Sequence, residues 1–454
     1  MSSEWTKLTV ENFGPISHTE ITIRPVTVII GKNSFGKSLL INLAYLLSDT
    51  LPDFYQLRRE VDQEVGRLVD QAYNAIKAED TKELARALSE IFHVYFKKLG
   101  PAIGANLTNR FKEFFNVREV ADLFRGHILV KNTPLSYFIK AEKDSLTVKF
   151  DGYEELEIYV KNIKQEHIET FFLDVEIRLV KSGKELRSFP YRVKEPADIH
   201  LLVGGHALPY ALAYLYPLSF GAGKSFLLTD SRAGILRLAR TAVATSLEYG
   251  RLLVPARESA FLAAYNRLAV RFREKGPSEE LEELFKEFLA EIGLKNIEVR
   301  LIGGYPEIYV EDIWGKKLPL EECPSGVRES LSAALALVAE GVGSEVLFVE
   351  EIESHLHPKA LDYLIRLAWE AVLKREESPI FLIMTTHNPI VLSKLNNLIL
   401  KTGKGVHELV TVIHLREANG VVESEELKVS EKGFDESGLS EIFVELLEER
   451  GELV

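Results

Sequence analysis

Cysteine is almost missing from this 454-residue chain. Its one thiol, Cys323, has no partner for an internal disulfide and excludes a cysteine metal cluster. Methionine occurs twice and glutamine stops at Gln165, while lysine, arginine and glutamate are plentiful, a leaning seen in thermophiles. No apolar run approaches the roughly 20 residues that span a bilayer, and the opening Met-Ser-Ser-Glu-Trp lacks signal-peptide character. A cytoplasmic protein with no membrane association is expected. Solenoid repeats and low-complexity tracts are absent too. Positive charge is outweighed: 55 Lys+Arg face 68 Asp+Glu, a net charge of −13. That argues against a protein coating nucleic acid with its whole surface. The imbalance is local, however, because beyond residue 300 there are 14 basic against 28 acidic residues. The first two-thirds are near neutral and leave room for a basic groove.

What the chain does have begins at Val28. Val28-Ile29-Ile30 runs into Gly31-Lys32-Asn33-Ser34-Phe35-Gly36-Lys37-Ser38, and Leu39–Leu47 follows as an apolar helix. A buried strand, a glycine-hinged loop and a helix N-terminus stand in the order a phosphate cradle requires. The glycines let successive backbone N–H groups turn toward an anion, and the helix start adds unpaired donors and a positive dipole end. Lys37 is placed to reach the β- and γ-phosphates of ATP, and the Ser38 hydroxyl to ligate Mg²⁺. A second Gly-Lys-Ser at Gly223-Lys224-Ser225 is read as a surface loop, since Leu218 stands where the first glycine belongs.

The chain is long enough for two or three units. Short strands are expected around Leu8–Val10, Thr19–Ile23 and Val26–Ile30, with a Gly14-Pro15 turn after the first. Residues 53–126 carry helical periodicity, from Phe54, Leu57, Val61, Val65 and Leu68 onward. A capping box at Asp80-x-x-Glu83 opens a helix expected to stop at Gly100-Pro101, with another over about 107–124. That makes a compact helical insertion. Residues 128–216 switch to period two, as in Leu146-Thr-Val-Lys-Phe150, with Ser182-Gly183-Lys184 as a hairpin tip. Phe226-Leu-Leu-Thr-Asp-Ser-Arg232 and Leu252-Leu-Val-Pro-Ala-Arg257 each read as a short strand delivering an arginine before a helix. In parallel sheets that end faces the ligand crevice. Either arginine contacts phosphate or couples the insertion to the site, or it pairs with a neighbouring carboxylate. Residues 278–294 form a charged amphipathic helix, and 296–320 alternate as strands.

The second half of the site starts at Pro324-Ser325-Gly326, which opens a helix with Ser325 as its natural N-cap. Val346-Leu-Phe-Val349 then forms a buried strand ending in Glu350-Glu351. Beside a phosphate loop, Glu350 would hold Mg²⁺ directly or through water, and Glu351 would polarise the attacking water. His355 and His357, two apart, cannot share a helix face, and no zinc site is expected. Ile380–Met384 is another buried strand, and His387 at its tip would reach the γ-phosphate.

These elements together resemble the ABC class of P-loop ATPases, in the branch holding the OLD (overcoming-lysogenization-defect), RecF and SMC-like ATPases. Leu8-Thr-Val-Glu-Asn-Phe-Gly-Pro-Ile16 looks like that branch's first strand, Gly31–Ser38 its Walker A, and Ser325-Gly326 its signature. Glu350-Glu-Ile-Glu-Ser-His-Leu-His-Pro358 resembles its extended Walker B, and Thr386-His387-Asn-Pro its switch histidine. The resemblance implies an α/β fold: a mostly parallel core sheet plus an antiparallel β layer, with a helical and β insertion. The core is expected over residues 1–50 and 225–454, the helical insertion over 51–127 and a small antiparallel β region over 128–224. It departs in having Glu350 where Asp is commoner, Ile352 for a frequent proline, and only Ser-Gly of the signature. No Q-loop glutamine follows Gln165.

The resemblance further implies that Ser325 and Gly326 act in trans, capping the γ-phosphate bound by Lys37 of a second copy. ATP would then join a head-to-tail homodimer, and hydrolysis would reopen it. The expected activity is ATP hydrolysis acting on nucleic acid or on a separately encoded nuclease or toxin. The alternatives are an ATP-gated scaffold with little turnover and, less favoured, the motor subunit of a transporter.

Overall fold

Six consecutive residues, Val26–Gly31, are buried without exception, the mark of a strand covered on both faces. In the computed structural model of the chain, this strand lies inside a mostly parallel sheet. Described are residues 5–132, 135–166, 172–181, 184–193, 196–215, 217–219, 224–238, 254–341, 344–375, 379–436 and 448–449. They divide into two units. Among the described residues no helix is long and apolar enough to cross a membrane.

The unit holding the phosphate loop comprises Gly14–Tyr45, Glu113–Phe115 and Gly223–Val454. Its strands are β1 (Ile16–Ile23), β2 (Val26–Gly31), β3 (Lys224–Leu228), β4 (Glu345–Val349), β5 (Ile380–Thr385), β6 (Val410–Ala418) and β7 (Val421–Leu427). Within the unit they are ordered β3-β4-β5-β2-β6-β7-β1. The run from β3 to β6 is parallel, and β7 returns antiparallel to β6. Helices α1 (Lys37–Asp49), α2 (Ala256–Lys275), α3 (Ser325–Val338), α4 (Pro358–Lys374) and α5 (Pro389–Thr402) accompany the sheet. Proline at the first turn of α4 and of α5 suits a position whose N–H needs no intrahelical partner. A small antiparallel sheet of Leu294–Ile302, Tyr305–Asp312 and Lys317–Pro319 belongs to the same unit. The charged helix at Glu282–Glu291 buries Leu284, Phe285, Phe288 and Leu289.

The other unit comprises Met1–Phe13, Leu46–Lys112 and Asn116–Ala222. Thr6–Phe13, His127–Asn132, Leu135–Ala141 and Leu146–Asp151 pair antiparallel. Leu156–Glu166, Phe172–Lys181 and Lys184–Val193 make a second antiparallel sheet. Asp53 and Asp80 cap their helices by accepting from Gln56 N and from Lys82 N and Glu83 N.

Three expectations are corrected here. The helix from Thr81 does not stop at Gly100-Pro101 but continues to Phe115, where Asn116 ends it in the left-handed region. The buried stripe Leu88, Phe92, Phe96, Leu99, Ile103, Leu107, Phe111 keeps phase through the proline, so burial overrides the lost hydrogen bond. Gly100 and Gly104 serve packing: a Cβ on either would collide with the Val148 or Leu146 carbonyl. Residues 196–215, expected as strand, are helical, including a π-helical turn at Leu201–Ala207. Lys224-Ser225 is no surface loop: it starts β3, with Ser225 fully buried. The strand expected at Leu252-Leu253 and the tip residues Ser182-Gly183 lie outside the described residues.

Candidate functional site

Parallel order alone assembles the site. Strand β5 lies between β4 and β2, so the phosphate loop, the acids and the histidine leave three neighbouring strand ends on one edge. The loop's backbone is held by close approach. A Cβ on Gly31, at φ +146°, would lie 2.7 Å from the Leu415 carbonyl oxygen, and one on Gly36, at φ +91°, 3.1 Å from Pro15 and Ile16. Ser34 sits at φ +67° between them. Lys37 is buried, its ammonium donating to Gly31 O at 2.8 Å and Lys32 O at 3.0 Å. Burial holds its pKa below the ordinary lysine value, while the charges of Glu351 and Glu353 pull it back up. Ser38 follows in the first turn of α1.

The two acids have different surroundings. Glu350 is fully buried; its Oε1 accepts from Asn42 Nδ2 at 2.5 Å, and its Oε2 from Asp230 N at 3.2 Å and from Arg257. Burial pushes this carboxyl up to about 7, with Arg257 opposing. Asn42 thereby ties the helix of the phosphate loop to the acid strand. Glu351, only half-buried, stands at φ +43°; its N–H donates to Thr385 Oγ1 at 3.0 Å. His387 N donates to Glu353 Oε1 at 2.8 Å, and the ring Nδ1 faces the same oxygen at 3.2 Å.

Neither Arg232 nor Arg257 is a surface arginine. Arg232 is wholly buried, 2.8 Å from Glu329 Oε2, and donates to the carbonyls of Thr229 and Glu350 at 2.8 Å each. Burial lowers its pKa and Glu329 restores part of it. Arg257, in the first turn of α2, pairs with Asp230 at 2.7 Å and with Glu350. Burial works against its charge, but Glu350 and Asp230 outweigh it and the pKa is raised. Both arginines therefore meet carboxylates within the site, without being the surface arginines that the pairing reading expected.

Ser325 is not the N-cap: Pro324 holds that position and Ser325 is the first helical residue of α3. The fixed φ of proline presets the entry, and Pro324 O accepts from Val327 N and Arg328 N. Gly326 lies so close to the following turn that a Cβ would come within 2.6 Å of His355 O. One turn on, Glu329 meets Arg232, so the start of α3 is joined to the backbone of the acids.

Sequence reasoning assigned no role to Asn42, Asp230, Glu329 or Glu353. Asn42 had a signal, a polar group on an otherwise apolar helical stretch, which predicts a buried partner; Glu329, in the polar first turns of its helix, had none. The oxygens of Ser38 and Glu350 suit a hard divalent cation, and Asn42, bonded to Glu350 through its Nδ2, keeps its Oδ1 buried with no hydrogen-bond partner among the described residues. The residues present fit Mg²⁺.

Two family models match the chain. One, described as an AAA ATPase domain, covers residues 5–182. The other, described as an AAA domain, putative AbiEii toxin, Type IV TA system, covers residues 233–393. No curated protein matches. Among solved structures, the chain is similar to an SmcHead bound to the C-winged helix domain of ScpA, at 12% identity over 94% of this chain and 98% of that one, TM-score 0.39. A Smc head domain with an extended coiled coil, bound to the C-terminal domain of ScpA derived from Pyrococcus furiosus, matches at 12% identity over 98% and 99%, TM-score 0.40. The SMC head domain from Thermotoga maritima matches at 15% identity over 93% and 98%, TM-score 0.30.

Proposed function

We propose that this chain, which matches AAA ATPase domain models over residues 5–182 and 233–393, works as an ABC-like P-loop ATPase of the RecF/SMC/OLD type through the following cycle. The observation that carries it is the Asn42–Glu350 contact, which puts the phosphate loop and the acid strand into one site. The loop from Gly31 to Ser38 wraps the phosphates of ATP, and Lys37 exchanges its bonds to Gly31 O and Lys32 O for phosphate oxygens. Ser38 and Glu350 would hold Mg²⁺, which would neutralise phosphate charge. Glu351 orients and deprotonates the attacking water, and His387 reads the γ-phosphate.

A second copy completes the site by presenting Ser325 and Gly326 from its own α3, so ATP joins a head-to-tail dimer. Arg232 links that helix to the acid pair within one chain and thereby couples the two nucleotides. The dimer acts on nucleic acid or on a separately encoded effector in the cytoplasm. The toxin–antitoxin wording of the model over residues 233–393 supports the effector branch.

Size-exclusion chromatography with light scattering tests the cycle. Glu351→Gln retains ATP and accumulates dimer, whereas Lys37→Ala binds no ATP and stays monomeric. A Glu351→Gln protein hydrolysing at the wild-type rate removes Glu351 from the mechanism. A second reading, an ATP-gated scaffold with little turnover, is favoured by Arg257 already neutralising Glu350. Steady-state phosphate release, with and without DNA, separates the two.

A further inference from the structure

Glu353 is an acid in this site to which the hydrolytic cycle assigns no task. It lies on the turn between β4 and α4, whose backbone is stitched to the end of β5. Glu351 N donates to Thr385 Oγ1 and Ile352 N to Thr385 O, while Ser354 N and Leu356 N bond back to Glu351 O and Glu353 O. That turn places the Glu353 side chain against the start of the histidine segment. The carboxylate is nearly inaccessible, at 5% side-chain exposure. Its Oε1 accepts from the His387 backbone N–H at 2.8 Å, and the ring Nδ1 lies 3.2 Å from the same oxygen, at ion-pair distance. Its Oε2 is buried with no hydrogen-bond partner among the described residues. A half-satisfied buried carboxylate is costly to keep. A merely structural contact to the His387 N–H would be served as well by an amide or hydroxyl.

We infer that Glu353 is a positioning residue that fixes the ring and tautomer of His387, holding the proton on Nδ1 and leaving Nε2 as the atom that meets the nucleotide or its attacking water. The physical reason is the two-ended character of imidazole. In the neutral ring one nitrogen carries the proton and the other a lone pair, and the hydrogen bond made at one end dictates what the other end offers. An ionised carboxylate only accepts, so the nitrogen facing it must be the N–H. His387 itself is about half exposed, at 47%. Without Glu353 the ring would rotate about χ1 and χ2 and sample both tautomers. The same carboxylate grips the main chain of His387, so ring direction and loop position are set by one group. Because Glu353 also acts electrostatically on Lys37, it sits within reach of the charge changes at the phosphate loop.

This rests on His387 serving hydrolysis, and the experiment keeps the two apart. The ring nitrogens of the eleven histidines are observed by ¹⁵N-histidine NMR at pH 8, with His387 assigned by its loss in His387→Ala. Wild-type protein shows His387 protonated on Nδ1, and Glu353→Ala shifts it toward the Nε2–H form. Glu353→Ala lowers kcat about tenfold or more with KM for ATP within about twofold, and Glu353→Gln, whose amide can donate as well as accept, recovers it only in part. A wild-type spectrum with a bare Nδ1 overturns the inference without needing any variant. So does an unchanged kcat in Glu353→Ala while His387→Ala is impaired. If His387→Ala itself hydrolyses normally, the role given to His387 fails instead.

Discussion

Replacing Arg232 by methionine isolates the energetics of the buried pair that joins α3 to the acids. Arg232 and Glu329 expose 1% and 2% of their side chains, and the guanidinium also satisfies the carbonyls of Thr229 and Glu350. Arg232→Met leaves Glu329 buried with only the Ala233 N–H for a partner, at 2.8 Å. Breaking a buried pair from one side costs about 3–5 kcal/mol. Removing both charges, as Arg232→Met/Glu329→Leu, takes away the stranded carboxylate but leaves the carbonyls and Ala233 N unpaired; a residual loss of about 2 kcal/mol is expected. The double variant is therefore more stable than the single one. Urea unfolding followed through Trp369, buried in this unit, in a background with the other tryptophans replaced, reads both. The pH dependence has a fixed sign. Burial raises the Glu329 carboxyl above its ordinary value of 4.5, with Arg232 pulling it down. A raised folded-state value gives stability that is present below 4.5 and lost as pH rises through the folded value. Without Arg232 the carboxyl rises further, so the deficit of Arg232→Met is smallest near pH 4.5 and grows with pH. A single variant within about 1 kcal/mol of wild type at pH 7.5, or a double variant no more stable than the single, refutes this reasoning.

Two glycines, Gly66 in the helix Phe54–Lys77 and Gly100 in the helix Thr81–Phe115, should respond oppositely to alanine. Gly66 faces open space, so Gly66→Ala raises stability by about 0.5–1 kcal/mol, whereas Gly100→Ala, which drives a Cβ into the Val148 carbonyl, lowers it by about 2 kcal/mol or more in thermal unfolding. Burial pushes the Cys323 thiol up to about 11, so iodoacetamide at pH 8 should leave it unlabelled in folded protein and label it in urea, as mass spectrometry would show.

The phosphate loop was legible because its signal is local: a β-branched strand, two glycines at fixed spacing and a helix start lie within about twenty residues of sequence. The acid strand and His387 were legible for the same reason, each being a short apolar run with a polar tip. What escaped depends on tertiary packing. Pro101 reads as a helix stop in isolation, yet the buried stripe on both sides of it carries the helix on to Phe115. Lys224-Ser225 reads as a loop because Leu218 stands where the first glycine of a phosphate loop belongs, and only pairing with Glu345-Val346 makes it strand. Ser325 has the chemistry of a cap, but Pro324 already supplies the geometry. Arg232 and Arg257 were visible as candidates, while their partners Glu329 and Asp230 could not be paired with them from sequence spacing, being 97 and 27 residues away.

Three glutamates within four positions, Glu350, Glu351 and Glu353, receive different environments, and those environments divide the labour. Glu350 is buried against Arg257 and Asn42, and Glu353 is buried against His387. Glu351 alone is half-exposed, and it alone of the three stands at positive φ, +43°. A side chain in the left-handed region costs about 1–2 kcal/mol that glycine does not incur, and glycine loses about 0.5–1 kcal/mol of that advantage through its looser unfolded chain. On the proposed cycle, the strain is tolerated in order to hold a carboxylate at this point. Glu351→Gln removes the charge and keeps the strain; Glu351→Gly removes both. If the backbone at Glu351 is strained for function, both variants lose hydrolysis, and Glu351→Gly is the more stable of the two by about 0.5–1 kcal/mol in urea unfolding. A glycine variant less stable than the glutamine one would mean that the turn, and not the carboxylate, dictates this conformation.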